Sequence, residues 1–127
     1  MADNSILIFV VEDEPTIREL LTHDLEEAGF SVALIASGDE AIKKLSDKGT
    51  NYRALITDIN LGDDVTGWDV ARHARRINAE LPVIYMTGND DPAIRKAAAA
   101  SGCVAFLTKP FSTQSLIEPL KKASAGH

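Results

Sequence analysis

Short apolar runs alternate with amphipathic segments along the chain, and this alternation restricts the fold more than any other feature. The runs fall at Ile6–Val11, Val32–Ile35, Ala54–Thr57, Val83–Met86 and Val104–Leu107. They lack polar alternation, which suits strands buried on both faces of a sheet. The intervening segments carry a helical period. Ile17, Leu20, Leu21, Leu25 and Ala28 form one apolar stripe, with Pro15 at a first helical position and Gly29 at a C-terminal cap. Further helices are predicted over Asp39–Asp47, Trp68–Ile77, Pro92–Ala100 and Thr113–Ala123, with Ala41, Ile42, Leu45, Val70, Ala71, Ala74, Ile77, Leu116, Ile117 and Leu120 turned inward. Pro119 lies inside the last of these, where a missing N–H predicts a kink or a shortened helix.

Five repeats of strand then helix predict an α/β fold, a parallel sheet with helices on both faces. Right-handed crossovers leave few strand orders. The flavodoxin-like order 2-1-3-4-5 is the expected one. With 127 residues, 45% hydrophobic, the chain is read as a single domain over 1–127 with its core at about 6–122.

In such a sheet, ligands bind beyond the carboxyl ends of the strands. The first strand ends in Glu12-Asp13-Glu14, the third in Asp58, the fourth in Thr87-Gly88 and the fifth in Lys109-Pro110. Each alone reads as ordinary solvated or capping chemistry. Together they bring carboxylates, a hydroxyl and an amine to one small volume. Crowded carboxylates repel, and a hard divalent cation relieves that repulsion. Magnesium prefers oxygen ligands, completed by water. A lysine adds a compact positive charge suited to phosphate. This is equipment for phosphoryl transfer, which rests on positioning and charge neutralisation. Asp58 is the candidate nucleophile, because it follows the central strand between the acidic pair and Lys109.

Other chemistries find little support. A formal net charge of -6 argues against a nucleic-acid surface. Cys103 is the one cysteine and reads as a small apolar residue. His23, His73 and His127 have no zinc-ligand partners at the required spacing. Met1–Ser5 is not a signal peptide, and Ile6–Val11 is far too short to span a membrane. The expected location is the cytoplasm.

The segments LIFVVEDEP, ALITDINL, PVIYMTG and FLTKPF occur here in an order and spacing that resembles the receiver (CheY-like) domains of two-component response regulators. The resemblance runs from Ile6 to about Lys122. It implies that Asp58 is phosphorylated by a histidine kinase or a histidine phosphotransfer protein. It implies magnesium, or manganese in its place, on Asp13, Asp58 and the backbone carbonyl of Asn60, with Glu12 assisting through water. Thr87 and Phe106 would form the switch, and Lys109 would pair with the phosphoryl group. A cis bond before Pro110 would aim Lys109 inward, and Gly88 would leave room at the site mouth. Asn60 and Asn89 would flank the path of the hydrolytic water. The face of the fourth helix, fifth strand and last helix would engage a downstream protein, as a monomer or a phosphorylation-linked dimer.

The sequence departs from the family pattern after Asp58. Gly62 stands where proline is common, and Gly67 comes one residue late. The loop Leu61–Thr66 is thus one residue longer and carries Asp63 and Asp64. Three other readings compete with this one. A haloacid-dehalogenase-like phosphatase would need a second acid where Asn60 stands. A non-phosphorylated interaction module would be expected to lack the acceptor, an acid or the lysine. A receiver cut from a hybrid kinase or longer regulator remains an alternative to a stand-alone regulator.

Overall fold

A computed structural model describes residues 6–47, 52–62, 64–89 and 91–125. Asp63 and His127 lie outside the described residues. Ten elements alternate: β1 Ile6–Val11, α1 Pro15–Glu27, β2 Phe30–Ile35, α2 Gly38–Leu45, β3 Ala54–Asp58, α3 Gly67–Ile77, β4 Val83–Thr87, α4 Pro92–Ala100, β5 Ala105–Thr108 and α5 Thr113–Ala125. All strand pairings are parallel, in the order β2-β1-β3-β4-β5. This is the expected flavodoxin-like architecture.

Strand periodicity divides the core in two. Phe9, Val11, Leu55, Val83 and Tyr85 face one helical layer with Val70, Ala71 and Ala74 of α3. Ile8, Val10, Ala54, Ile56, Ile84 and Met86 face the other, with Leu21, Leu25, Leu116 and Leu120. Adjacent strand residues point to opposite faces, so an apolar run fills both layers.

Local chemistry sets the helix ends. Pro15 opens α1, and Gly29 follows its cap at φ 97, a conformation that favours glycine. The Ser37 side chain caps α2 by accepting from the Glu40 N–H at 3.1 Å. Thr66 and Asp69 form a reciprocal capping box on α3. The Thr66 N–H and the Arg72 guanidinium hold the Asp69 carboxyl below its ordinary value of 3.8. A depressed carboxyl stabilises the fold above its unfolded pKa and loses that effect as pH falls through the folded value. Asp69→Ala is therefore expected to cost about 0.2–1 kcal/mol near neutrality, because the carboxyl is partly exposed and screened by solvent. The deficit should fade as pH drops below 3.8, read from urea melts of both proteins.

Several expectations need correction. Pro119 does not shorten α5, which runs for 13 residues with the proline inside it. Leu116, Ile117 and Leu120 are buried against the sheet, and that packing offsets one lost hydrogen bond. Leu20 and Ile77 are 58% and 59% exposed, so the inward faces of α1 and α3 are narrower than their apolar content suggests. Val104 lies before β5 and is exposed. β2 begins earlier, at Phe30, and α2 at Gly38. β3 and β4 each run one residue past the apolar runs, so Asp58 and Thr87 are the last strand residues, as expected of strand-end groups.

Candidate phosphoacceptor site

Sheet register assembles the site. Val11 pairs with Thr57, which sets Glu12 level with Asp58. Asp58 pairs with Met86, and Thr87 with Thr108, so Thr87 and Lys109 follow one step beyond on the neighbouring strands. Backbone hydrogen bonds carry the register past the strand ends: Glu12 N–H to Ile35 O at 3.0 Å, Ile59 N–H to Met86 O at 2.9 Å and Lys109 N–H to Thr87 O at 2.7 Å. The Lys109–Pro110 peptide is cis.

Lys109 is the electrostatic centre. Its Nζ donates to Asp58 Oδ2 at 2.6 Å and to Glu12 Oε1 at 2.7 Å. The second oxygen of each carboxylate is held by backbone: Glu12 Oε2 accepts the Glu14 N–H at 3.1 Å, and Asp58 Oδ1 accepts the Asn60 N–H at 3.1 Å. Glu12 is fully buried. Burial pushes its carboxyl above the ordinary range, against the opposing pull of Lys109 and the Glu14 N–H. Desolvation drives Lys109 down, but its hydrogen bonds to Asp58 and Glu12 together outweigh this and leave the ammonium raised. The lysine is held as a cation between two acids.

Asp13 is exposed at the mouth. One oxygen each from Glu12, Asp13 and Asp58 lies within 4.8 Å of the others. This is an all-oxygen donor set, the kind that suits a hard divalent ion. The Thr87 hydroxyl is tied into its own turn, accepting the Asn89 N–H at 3.1 Å and donating to Asn89 O at 3.4 Å. Phe106 is partly buried against the α3-side core. The Arg95 guanidinium lies 5.1 Å from its ring centroid.

Two contributors escaped the sequence reading. Arg18 Nη1 donates to the carbonyls of Glu12 and Asp13, both at 3.1 Å, and so braces the acidic turn from α1. An arginine on an exposed helix face gives no sequence signal of that contact. Gly67 is the other. A Cβ there would stand 2.1 Å from Asp58 O, and the Gly67 N–H closes the loop on Ile59 O at 2.8 Å.

The longer loop is anchored at both ends. Leu61 is buried in the core. Gly62 turns at φ 76, with its N–H 3.3 Å from Asn60 Oδ1. A Cβ on Gly62 would approach Asp13 Oδ2 to 3.1 Å. Val65 packs closely over Gly38 of α2, and Thr66 caps α3. Asp64 is exposed.

The family model for the response regulator receiver domain matches residues 8–121. The chain belongs to that family. This receiver domain is 30% identical over 123 residues to nodulation protein W of Bradyrhizobium diazoefficiens, covering 97% of this chain and 53% of that protein. It is 33% identical over 121 residues to the transcriptional regulatory protein TrcR of Mycobacterium tuberculosis, covering 94% and 46%. The receiver domain thus spans about half the length of the curated relatives it matches. Among solved structures it resembles a response regulator receiver protein from Sinorhizobium medicae, at TM-score 0.85, 28% identity and 98% of each chain. It also resembles the response regulator protein TrrA of Thermotoga maritima in complex with Mg(2+)-BeF, at TM-score 0.80 and 31% identity over 93% of this chain and 98% of that one. No helix among the described residues is long and apolar enough to cross a membrane.

Proposed function

We propose that this receiver domain accepts a phosphoryl group on Asp58 from the phosphohistidine of a kinase or phosphotransfer protein. The observation that carries the reading is the Lys109 bridge to Asp58 and Glu12 beside the three-carboxylate cluster. A carboxylate oxygen of Asp58 attacks phosphorus, the phosphorus–nitrogen bond to the donor imidazole breaks, and the donor histidine keeps that electron pair. The product is an acyl phosphate. Asp13, Asp58 and the Asn60 carbonyl would hold magnesium directly, with Glu12 assisting through water. Magnesium supplies neutralisation of charge on the transferring oxygens.

The chain's own groups do the remainder. Lys109 transfers its hydrogen bond from Asp58 to the new phosphoryl oxygens. Thr87 leaves its turn with Asn89 to donate to the same group, and Phe106 moves into the space vacated. The added charge of about -1.5 to -2 drives both motions. Asn60 and Asn89 border the approach of the water that later hydrolyses the product. The α4-β5-α5 face carries the output to a downstream protein. Catalysis is confined to the domain's own phosphorylation and dephosphorylation, and the setting is cytoplasmic.

Beryllofluoride with magnesium is expected to shift the backbone amide signals of Thr87, Phe106 and Lys109 in NMR spectra. Spectra unchanged from those with magnesium alone would defeat the proposal. Lys109→Met should separate the two roles of the lysine. Removing an ammonium 2.6 Å from Asp58 Oδ2 leaves more negative charge in the cluster, so magnesium should bind more tightly by calorimetry. Phosphoryl transfer should nevertheless slow by about 10²–10³-fold, because the group that stabilises the transferring charge is gone.

A further inference from the structure

A groove of about 370 Å³ lies between α3, β4 and the turn after α4, and none of its lining residues belongs to the carboxylate cluster. Trp68, Arg72 and Arg76 line it from α3, spaced four apart on one helical row, with Arg75 on the adjacent row. Tyr85 of β4 forms the floor, its ring 4.6 Å from that of Trp68. Arg75 is fixed there by donating to the carbonyls of Leu81 at 3.3 Å, Ser101 at 2.6 Å and Gly102 at 3.1 Å. These partners are neutral and, among the described residues, leave two of its five N–H donors unused. Arg72 pairs with Asp69 at 2.9 Å. Neither Arg75 nor Arg76 has an ion-pair partner among the described residues. Among the described residues, three guanidiniums thus share one paired carboxylate, on a chain whose net charge is -6.

We propose that this groove docks an acidic segment of a partner protein: Asp or Glu side chains on Arg75, Arg76 and the rim of Arg72, and an apolar residue on Trp68. Trp, Tyr and Arg are the residues that dominate binding energy at protein interfaces. Planar guanidiniums pair well with carboxylates. A nucleic-acid strand fits poorly, because the rest of this acidic surface repels a long polyanion. The groove shares only Ser101, the cap of α4, with the α4-β5-α5 side, and none of its lining residues belongs to the carboxylate cluster, so its test is distinct from tests of both.

Trp68 is the only tryptophan, so its emission reports the groove directly. The full chain would be titrated with a panel of short peptides rich in Asp and Glu, each carrying one Leu or Ile, and with lysine-rich counterparts. Acidic peptides should give a saturable change that weakens with salt. Arg76→Glu and Arg72→Glu should weaken binding at least about tenfold. Lysine-rich peptides should give no response. Labelling of Asp58 by acetyl phosphate in Arg76→Glu should match wild type. The proposal fails if no acidic peptide gives a saturable response up to millimolar concentration, or if the charge reversals leave the response unchanged. It also fails if ATP gives the Arg76-dependent response and the peptides do not, which would make the groove a small-anion site.

Discussion

Asp58→Asn is expected to abolish phosphoryl acceptance while leaving the fold intact. An amide offers no anionic oxygen to attack phosphorus. The local structure has little reason to change, because the backbone around residue 58 is held independently of the carboxylate charge. The Thr57 hydroxyl donates to Asp58 O at 2.9 Å, and the Ile59 N–H bonds to Met86 O. The amide oxygen of asparagine can still accept the Asn60 N–H. Lys109 loses one charged partner but keeps Glu12 at 2.7 Å. Loss of one of three neighbouring carboxylates also relieves repulsion within the cluster. The stability change should stay within about 1 kcal/mol. Circular dichroism melts and acetyl phosphate labelling, run together, read both halves of this result. Labelling retained in the variant would move the acceptor elsewhere.

Gly67→Val is expected to damage both stability and phosphoryl acceptance, although residue 67 touches no reacting atom. A Cβ at 67 collides with backbone on every near side: Asp58 O at 2.1 Å, Ile59 Cα at 2.8 Å and Asp58 C at 2.9 Å. None of these is the end of a flexible side chain that could step aside. Relief requires α3 to retreat from β3 or the acceptor strand to shift. Overpacking of this kind costs about 1–3 kcal/mol or more. A displaced Asp58 would also lose its alignment with Lys109, and misplacement on the order of 1 Å can cost about 10²-fold in rate. Gly88→Ala is the control. It follows Thr87 and is exposed, and an added Cβ meets nothing within 4 Å, so its melting temperature should not change. Equal melting of Gly67→Val and wild type would contradict the packing argument.

These two variants mark what the amino-acid order makes legible. Asp58 was visible because charged residues at the ends of apolar runs are a pattern in one dimension. The strand order then carried Glu12, Asp13, Thr87 and Lys109 to the same edge. Gly67 was visible only as a loop glycine arriving one residue late. Its contact with Asp58 O depends on how closely α3 approaches β3, which no spacing encodes. Arg18 was hidden for a related reason, since its contact with two backbone carbonyls requires the turn at Glu12-Asp13 to fold back toward α1. Local propensity misled at Pro119, where a buried apolar face holds the helix together past a residue that removes a hydrogen bond. Apolar identity misled at Leu20 and Ile77, because a helix at the surface buries a narrower stripe than its hydrophobic content offers.

The longer loop after Asp58 also looks different once its anchors are known. Val65 over Gly38 and the Thr66 cap tie its far end to α2 and α3. Gly62 places the near end against Asp13, where a side chain would crowd a carboxylate of the candidate metal cluster. Asp58 keeps its pairing with Met86 beside this loop.

The central claim is the chemical identity of the acceptor, and reductive trapping tests it most directly. The domain would be incubated with acetyl phosphate and magnesium, treated with borohydride, digested and sequenced by mass spectrometry. An acyl phosphate on Asp58 is reduced to the corresponding alcohol, so residue 58 should appear as homoserine. The conversion should require magnesium and should be absent without acetyl phosphate. The corresponding alcohol at Asp13, Glu12 or another acid, or none at any position despite magnesium and acetyl phosphate, would contradict the account.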